Sequence, residues 1–456
     1  MRTKIVTILA FIFFISLNAQ DKKWTLQECI NYALDNNISI KQQELNNELI
    51  GEDITIAKGN FLPNFNASSS QNYNFGTYVD AFNNFVSLST RSNNFRASSS
   101  VTVFNSLKNK NNLLLAKKNL EAAGFDLEEN KNNIMLYVVN SYLNILLNKE
   151  NITIAKEQIA IGESQVEQAK ELVEAGSQPV SYLLDAEATL ASNEEQLTTA
   201  LNALDIARLN LAQLLLLPYE GFDVVDVPLS VNSASLLYNN TEEIFQKSLD
   251  FLPEIRSAEI AVENSDISIK IAKADYYPTV SLGGGVGTSY QTTIGEKDIV
   301  TRIDPITNDV ILVPNGFGKQ LKDNLGYNFG VTLNIPIFNK FQIKSNVNRA
   351  LINQKKAALN LEDKKIKLRE IIENSYVDAR ASLNQFISAE KSLKAQEESF
   401  KNAQVSYNSG VMTSFDFDQV RNRLVSAQSS MVNAKYNFVF KTKVLEYYYG
   451  IPITID

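Results

Sequence analysis

Residues 324–339 read NLGYNFGVTLNIPIFN. Tyr327, Phe329, Val331, Leu333, Ile335 and Ile337 alternate with Asn328, Gly330, Thr332 and Asn334. A period of two places alternate side chains on opposite faces, which is the signature of a strand. The stretch contains no Lys, Arg, Asp or Glu. A soluble sheet normally puts Lys and Glu on its wet face. Here the polar face is Asn, Gly and Thr, and the other face is apolar and aromatic. That combination fits a strand of a membrane barrel.

Three further uncharged stretches, Leu62–Val79, Ala97–Leu107 and Tyr276–Gly295, alternate in the same way. Phe65, Ala67, Tyr73 and Phe75 alternate with Asn66, Ser68, Asn72 and Asn74. Phe95, Val101 and Val103 alternate with Arg96, Ser98, Ser100 and Thr102. Val280, Leu282 and Val286 alternate with Ser281, Gly283, Gly285 and Gly287. Strands are therefore expected at about 64–75, 94–104, 279–291 and 325–337. Asp80–Asn94 and the polar, charged Glu296–Asp323 are expected to be surface loops beyond the membrane. Four strands cannot close a barrel in lipid, where an open edge leaves backbone groups unpaired. Several copies must then share one barrel.

Outward from the strands the chain is duplicated. One offset that lays Phe104-Asn105 on Phe338-Asn339 also lays Leu127 on Leu361 and Asn140-Ser141-Tyr142 on Asn374-Ser375-Tyr376. It lays Gly176 on Gly410, Leu190 on Leu424 and Pro218 on Pro452 as well. A shared offset over so long a span marks an internal repeat. In each half a helix leads to a proline and a polar, Gly/Ser-rich region, then to two very long helices joined at a glycine. Ser106–Ala175 has no proline, and Lys340–Ser409 has neither proline nor glycine. Val138, Ile145, Ile152, Ile159, Val166 and Val173 recur every seven residues. So do Leu183, Leu190, Leu197, Leu204 and Leu211. The second half repeats this with Ile372, Ala379, Phe386, Leu393, Phe400 and Tyr407, then Phe417, Leu424, Met431, Phe438 and Leu445. A sustained heptad means coiled-coil packing, and Gly176 and Gly410 turn each half into an antiparallel hairpin.

The N-terminus reads as an export address. Arg2 and Lys4 precede an apolar run from Ile5 to Leu17, and Ala19 supplies a small residue at the expected cleavage point. No later run is long and apolar enough for a membrane-spanning helix. Hydrophobic residues make up 44% and charged residues 21%, which excludes global disorder. The net charge of −8 is spread along the chain, and no basic tract points to nucleic acid. There is no histidine, and Cys29 is the single cysteine. This removes Cys/His metal sites, His-based triads and intrachain disulfides. Cys29 sits at helical spacing among apolar residues and is expected in the core.

The opening WTLQECINYALDNN at Trp24–Asn37, the strand entries Phe61-Leu-Pro-Asn and Tyr276-Tyr-Pro-Thr, the tip segments Gly176–Glu187 and Gly410–Val420 and the exit Pro336-Ile-Phe-Asn resemble the TolC family of outer-membrane efflux proteins. The resemblance covers nearly the whole chain after the signal. It implies a mainly α fold with a β-barrel portion: a homotrimer with four strands per chain in a 12-stranded barrel in outer-membrane lipid, joined to a long periplasmic coiled-coil tunnel. The expected organisation is a signal peptide at 1–19, a first repeat at 20–221 with its helical hairpin at 105–217, an equatorial connector at 222–252 carrying Pro228, and a second repeat at 253–456 with its hairpin at 339–449. The implied function is a passive exit duct for a tripartite efflux pump or type I secretion system. Its implied partners are a periplasmic adaptor (membrane fusion) protein and an inner-membrane RND or ABC transporter, with no enzyme activity and no cofactor. Drug, metal and protein export all fit that role.

Counted from Gly410, Asp416 matches a family position where acidic rings narrow the tunnel at its periplasmic tip. A second ring position falls on Gln419, and Asp418 stands beside it. Asp416 also suits the start of a helix, where the dipole favours acid, so both roles are open to it; for Asp185, capping or packing is the better reading. The tip turns Gly176, Ser177, Gly410 and Val411 are the implied adaptor contact. The alternative is a periplasmic coiled-coil adaptor or spacer, which shares the export signal and heptads but leaves four charge-free strands unexplained. A carboxylate hydrolase built on a pair such as Glu194 and Glu195 would place its acids on a heptad surface, where solvated charge is ordinary. A trimeric adhesin would need a longer passenger region than either inter-strand loop provides.

Overall fold

In the computed structural model, residues 22–79, 82–227 and 240–452 are described. The expected signal segment and Pro228 lie outside them. The described chain forms two compact units, one within Glu48–Glu121 and Ile260–Leu359, the other within Met1–Asn47, Ala122–Glu259 and Asn360–Asp456.

The first unit is built on one antiparallel sheet. Numbered along the chain after the short β1 (Lys23–Trp24), its strands are β2 (Asn64–Val79), β3 (Phe85–Phe104), β5 (Thr279–Thr293) and β8 (Gly326–Asn334), in the order β2-β3-β5-β8. The register aligns Phe65, Ser99, Gly284 and Phe329 across all four strands, and next to them Asn66, Ser98, Gly285 and Asn328. Because facing residues share a face, the four apolar sets gather on one side and the Ser/Asn/Gly/Thr sets on the other. Tyr327 is 90% and Phe329 80% exposed within one chain. An apolar sheet face left this open calls for lipid or another subunit.

Two boundaries differ from the sequence reading. The loop expected at Asp80–Asn94 is mostly strand: β3 starts at Phe85, which pairs with Val79. Val86, Leu88 and Thr90 keep the period of two but stand on the face of Arg96 and Ser98, opposite to Phe95 and Val101, so the alternation is out of phase with the rest of β3. The fourth strand stops at Asn334 rather than at 337, just before Pro336, whose nitrogen has no proton to donate. The region expected as the loop Glu296–Asp323 is itself structured. It holds a hairpin of β6 (Ile299–Ile303) and β7 (Val310–Pro314) and a short helix, Phe317–Asp323. That helix finishes the sheet edge. β8 pairs with β5 only as far as Gly326 opposite Gly287. Beyond that point the Gln320 side-chain amide replaces a strand: Gln291 N–H donates to Gln320 Oε1 (3.0 Å), and Gln320 Nε2 donates to Gln291 O (3.0 Å). Asn324 Nδ2 donates to Ser289 O (2.7 Å). An otherwise bare β edge is thereby blocked.

The second unit is helical. α1 (Leu26–Asn36) starts at a capping box in which Thr25 and Glu28 bond reciprocally. α2 (Ile38–Gly59) follows and runs on toward β2. The long helices along the chain are α3 (Lys108–Glu174), α4 (Val180–Leu214), α8 (Gln342–Asn408) and α9 (Ser414–Tyr449), with α5 (Thr241–Phe251) and α6 (Pro253–Ala274) between the halves; the Phe317–Asp323 helix, α7, and most of α6 fall within the first unit. α3 and α8 have 67 residues each, roughly 100 Å at 1.5 Å per residue. Val138, Tyr142 and Ile145 of α3 pack with Leu204, Leu211 and Leu215 and with Cys29, Ile30 and Ala33. Burial pushes the Cys29 thiol up to about 12, as a core cysteine requires. Farther along α3 the buried seam is Ala155, Gln158, Gly162, Gln165 and Ala169, while Ile159, Val166 and Val173 are only half-buried. The small residues let α4 approach closely. A Cβ on Gly162 would lie 3.0 Å from Asn193 Nδ2 and 3.1 Å from Leu190 Cδ1.

Between the halves, β1 pairs in parallel with β4 (Asp223–Val224). Lys149 of α3 ion-pairs with Asp223 (2.9 Å) and Asp226 (2.7 Å) and donates to Val224 O (2.8 Å), and Arg208 of α4 reaches Asp223 (3.0 Å). Burial works to raise the Asp223 pKa, but the bonds from Lys149 and Val224 N–H and the charges of Lys149 and Arg208 outweigh it and hold the carboxyl low. A carboxylate with a depressed native pKa binds fewer protons folded than unfolded. Its contribution is therefore full above about pH 4 and is lost as pH falls through the lowered value. Asp223→Asn is expected to lower thermal stability at pH 7 and to flatten its decline between pH 5 and pH 3. Melting temperatures across that range, with parallel slopes for the two proteins, would remove Asp223 from the acid response.

Candidate functional site

The tip of the helical unit is where four helices meet around polar groups. The α3–α4 and α8–α9 turns are built alike. Gly176 and Gly410 adopt φ of +71° and +73°, a conformation open to glycine without strain. Gly176 N–H donates to Val173 O (3.0 Å) and Ser177 N–H to Leu172 O (2.9 Å). At the repeat position Gly410 N–H donates to Tyr407 O (2.9 Å) and Val411 N–H to Ser406 O (2.9 Å). These paired bonds close the last helical turn at both tips. Ser177 is exposed, its hydroxyl donating to Leu172 O, and Val411 and Phe415 present bare apolar surface.

Asp416 is exposed in the first turn of α9. Thr413 caps that helix: its hydroxyl accepts from Asp416 N–H (3.2 Å) and donates to Asp416 Oδ2 (2.7 Å). The capping role weighed from sequence is thus present, and it leaves the rest of the carboxylate open. Asp418 is differently placed. Its Oδ1 meets Arg421 Nη2 at 3.2 Å and accepts from Gln165 Nε2 at 3.1 Å. Its carboxylate is therefore engaged by a guanidinium, unlike that of Asp416, and its side chain keeps 28% exposure.

Arg421 was missed by sequence reasoning and dominates this site. Its side chain is 2% exposed, and Arg421 heads the fully buried residues by volume. It donates to Gln165 Oε1 of α3 and pairs with Asp418 one turn away on α9. Burial lowers the guanidinium pKa, partly opposed by Asp418 and Tyr407. Tyr407 of α8 stacks on Phe417 (4.6 Å between centroids), and its hydroxyl lies 3.0 Å from that of Tyr182 on α4. Burial and the Tyr182 bond raise the Tyr407 pKa. The cluster therefore ties both hairpins together at the tip. The available signal was position: Arg421 interrupts the α9 seam between Phe417 and Leu424.

Among the described residues no group of His, Cys, Asp or Glu is arranged to hold a metal ion. No described helix is long and apolar enough to cross a membrane.

A family model described as outer membrane efflux protein matches residues 29–215 and 244–443. The chain is 22% identical over 449 residues to outer membrane protein TolC of Escherichia coli K12, covering 96% of this chain and 84% of that protein. Among solved structures it is similar to the transmembrane channel CusC, with a TM-score of 0.74 and 17% identity over 94% of this chain and 92% of that one. It is also similar to the outer membrane protein VceC of Vibrio cholerae, with a TM-score of 0.72 and 16% identity over 94% and 97%.

Proposed function

The chain belongs to the outer membrane efflux protein family, and on that footing we propose that three copies form a passive exit duct through the outer membrane, opened at its periplasmic tip by an adaptor protein and an energised inner-membrane transporter. One observation carries the assembly. The four-stranded sheet has an apolar face, an opposite face of small polar residues, and two free edges, β2 and β8. Such a sheet can remain in lipid only if its edges find partners, and a ring of copies supplies them. In a trimer the barrel has 12 strands.

The duct performs no chemistry, so its control is electrostatic and mechanical. Three Asp416 carboxylates brought close at the tip repel one another and favour cations. The exposed Val411 and the turns at Gly176, Ser177 and Gly410 offer the adaptor small, accessible surface. Purified protein in a planar bilayer is expected to conduct, and Asp416→Asn to change conductance and cation preference by about twofold. Equal conductance in the two proteins removes Asp416 from the gate. Recovery of the wild-type chain solely in the soluble periplasmic fraction overturns the duct itself and favours a periplasmic spacer.

A further inference from the structure

We propose that Arg96 is an anion-recognition position inside the barrel, at the level where β8 begins, giving the duct a preference for anionic solutes there; this rests on the trimeric duct proposed above.

The register isolates Arg96. It faces Ser68 on β2 and Gly287 on β5, and Gly287 in turn faces Gly326, the first residue of β8. These positions lie on the polar face, the one turned away from lipid. Along that face β2, β5 and β8 contribute no charged residue, and β3 contributes Arg96 alone. Arg91, the other charge in the four strands, points to the opposite face, five positions along β3 and against Tyr290. A charge retained where the facing positions Ser68, Gly287 and Gly326 and the neighbours Asn94 and Ser98 are small or uncharged is unusual for a barrel wall.

Its surroundings leave it free to act. Arg96 is exposed, and no hydrogen bond or ion pair engages its side chain among the described residues. Gly287 and Gly326 beside it carry no side chain, and a Cβ built on Gly287 would touch Arg96 at Cγ (3.9 Å). The guanidinium therefore rises from a floor too low to cover it. Its five donors match carboxylate and phosphate oxygens. Arg421 shows the contrast within the same chain: that guanidinium is buried and already satisfied by Asp418 and Gln165.

Magnitudes decide whether one arginine per chain matters. Twelve strands about 4.8 Å apart and tilted about 40° enclose a barrel roughly 24 Å across. Three inward-pointing arginines narrow this further, bringing their charges to within about one Debye length (~10 Å at 0.1 M salt) of each other. Their potentials overlap across the lumen at low salt and separate at 1 M, where the screening length is about 3 Å.

The test uses the full-length protein in planar bilayers under a KCl gradient, with Arg96→Gln and Arg96→Glu. Both lie on an exposed polar face, and unchanged trimer yield and open-channel conductance at 1 M KCl serve as the folding check. The chloride-to-potassium permeability ratio is expected to fall about twofold in Arg96→Gln and further in Arg96→Glu at 0.1 M, with the differences vanishing at 1 M. Citrate added from the extracellular side should reduce wild-type current and leave Arg96→Gln current unaffected. Conducting channels whose selectivity and citrate response match the wild type overturn this inference and leave the duct intact. A wild-type protein that forms no channel overturns the duct reading and this inference with it.

Discussion

A proline at Gly330 and a proline at Val331 are each expected to abolish the trimer. Neighbouring residues in a strand direct their N–H groups to opposite sides. Of these two, one donates toward β5 within the chain and the other toward the free edge of β8. If β8 were the edge of a soluble sheet, proline at the outward position would be tolerated, because water replaces the lost donor. In a shared barrel both positions are interior. Each proline leaves a carbonyl unpaired in hydrocarbon, costing several kcal/mol, and the loss is repeated at three equivalent strands. Gly330→Ala is the control: a Cβ at Gly330 meets no atom within 4 Å. Size-exclusion chromatography of the detergent-extracted outer-membrane fraction is expected to show trimer for wild type and Gly330→Ala and none for either proline. A trimer of normal yield in the outward-facing proline variant would mean that β8 is not joined to a neighbouring chain.

The same strand shows what was legible in the sequence. β8 could be read because nothing interrupts its alternation. The first ten residues of β3 were not legible, since Arg96 and Arg91 interrupt the uncharged run and Val86, Leu88 and Thr90 hold the period of two in the opposite phase to Phe95, Val101 and Val103. The edge closure by Gln320 was beyond reach. A side-chain amide that imitates a strand leaves no periodic trace, and its pairing with Gln291 exists only in three dimensions. In the helices, absence of proline, and in α8 of glycine as well, set the lengths closely. The heptad fixed the period of α3 but not its phase below Ile152. There Ala155, Gly162 and Ala169 are buried, and the larger Ile159 and Val166 stand at the seam's margin. Close approach of α4 favours the small residues inside, and periodicity alone does not choose between two stripes of equal spacing. At the tip, Asp416 and both glycine turns could be named from sequence, but Asp418 could not be assigned a role without its partner Arg421.

Removing that partner is the second large effect. Arg421→Met is expected to destabilise the tip by about 2–4 kcal/mol, because it leaves the partly buried Asp418 carboxylate and Gln165 Oε1 without their donor. The figure stays below that of a fully enclosed pair since the Asp418 side chain retains 28% exposure. Asp418→Asn should also be costly: the 2%-exposed guanidinium loses its counter-ion, although Arg421 keeps its bond to Gln165 and an amide can still accept from it. The double variant Asp418→Asn/Arg421→Met should be less damaging than the sum of the two, because both charges of the pair are removed together, leaving neither a carboxylate nor a guanidinium without its counter-charge, and methionine suits a seam already lined by Phe417 and Leu424. The cluster joins α3 to α9, so its loss should appear first as faster amide exchange in residues 414–424 and as a higher or noisier resting conductance, with the barrel unaffected. Thermal unfolding, hydrogen exchange and single-channel recording on the three variants complete the cycle. Additive effects would make Arg421 and Asp418 independent packing residues. Coupling with unchanged conductance would make the cluster a stabilising tie that does not restrain the duct, whereas coupling with a raised resting conductance identifies it as the contact that opening must break.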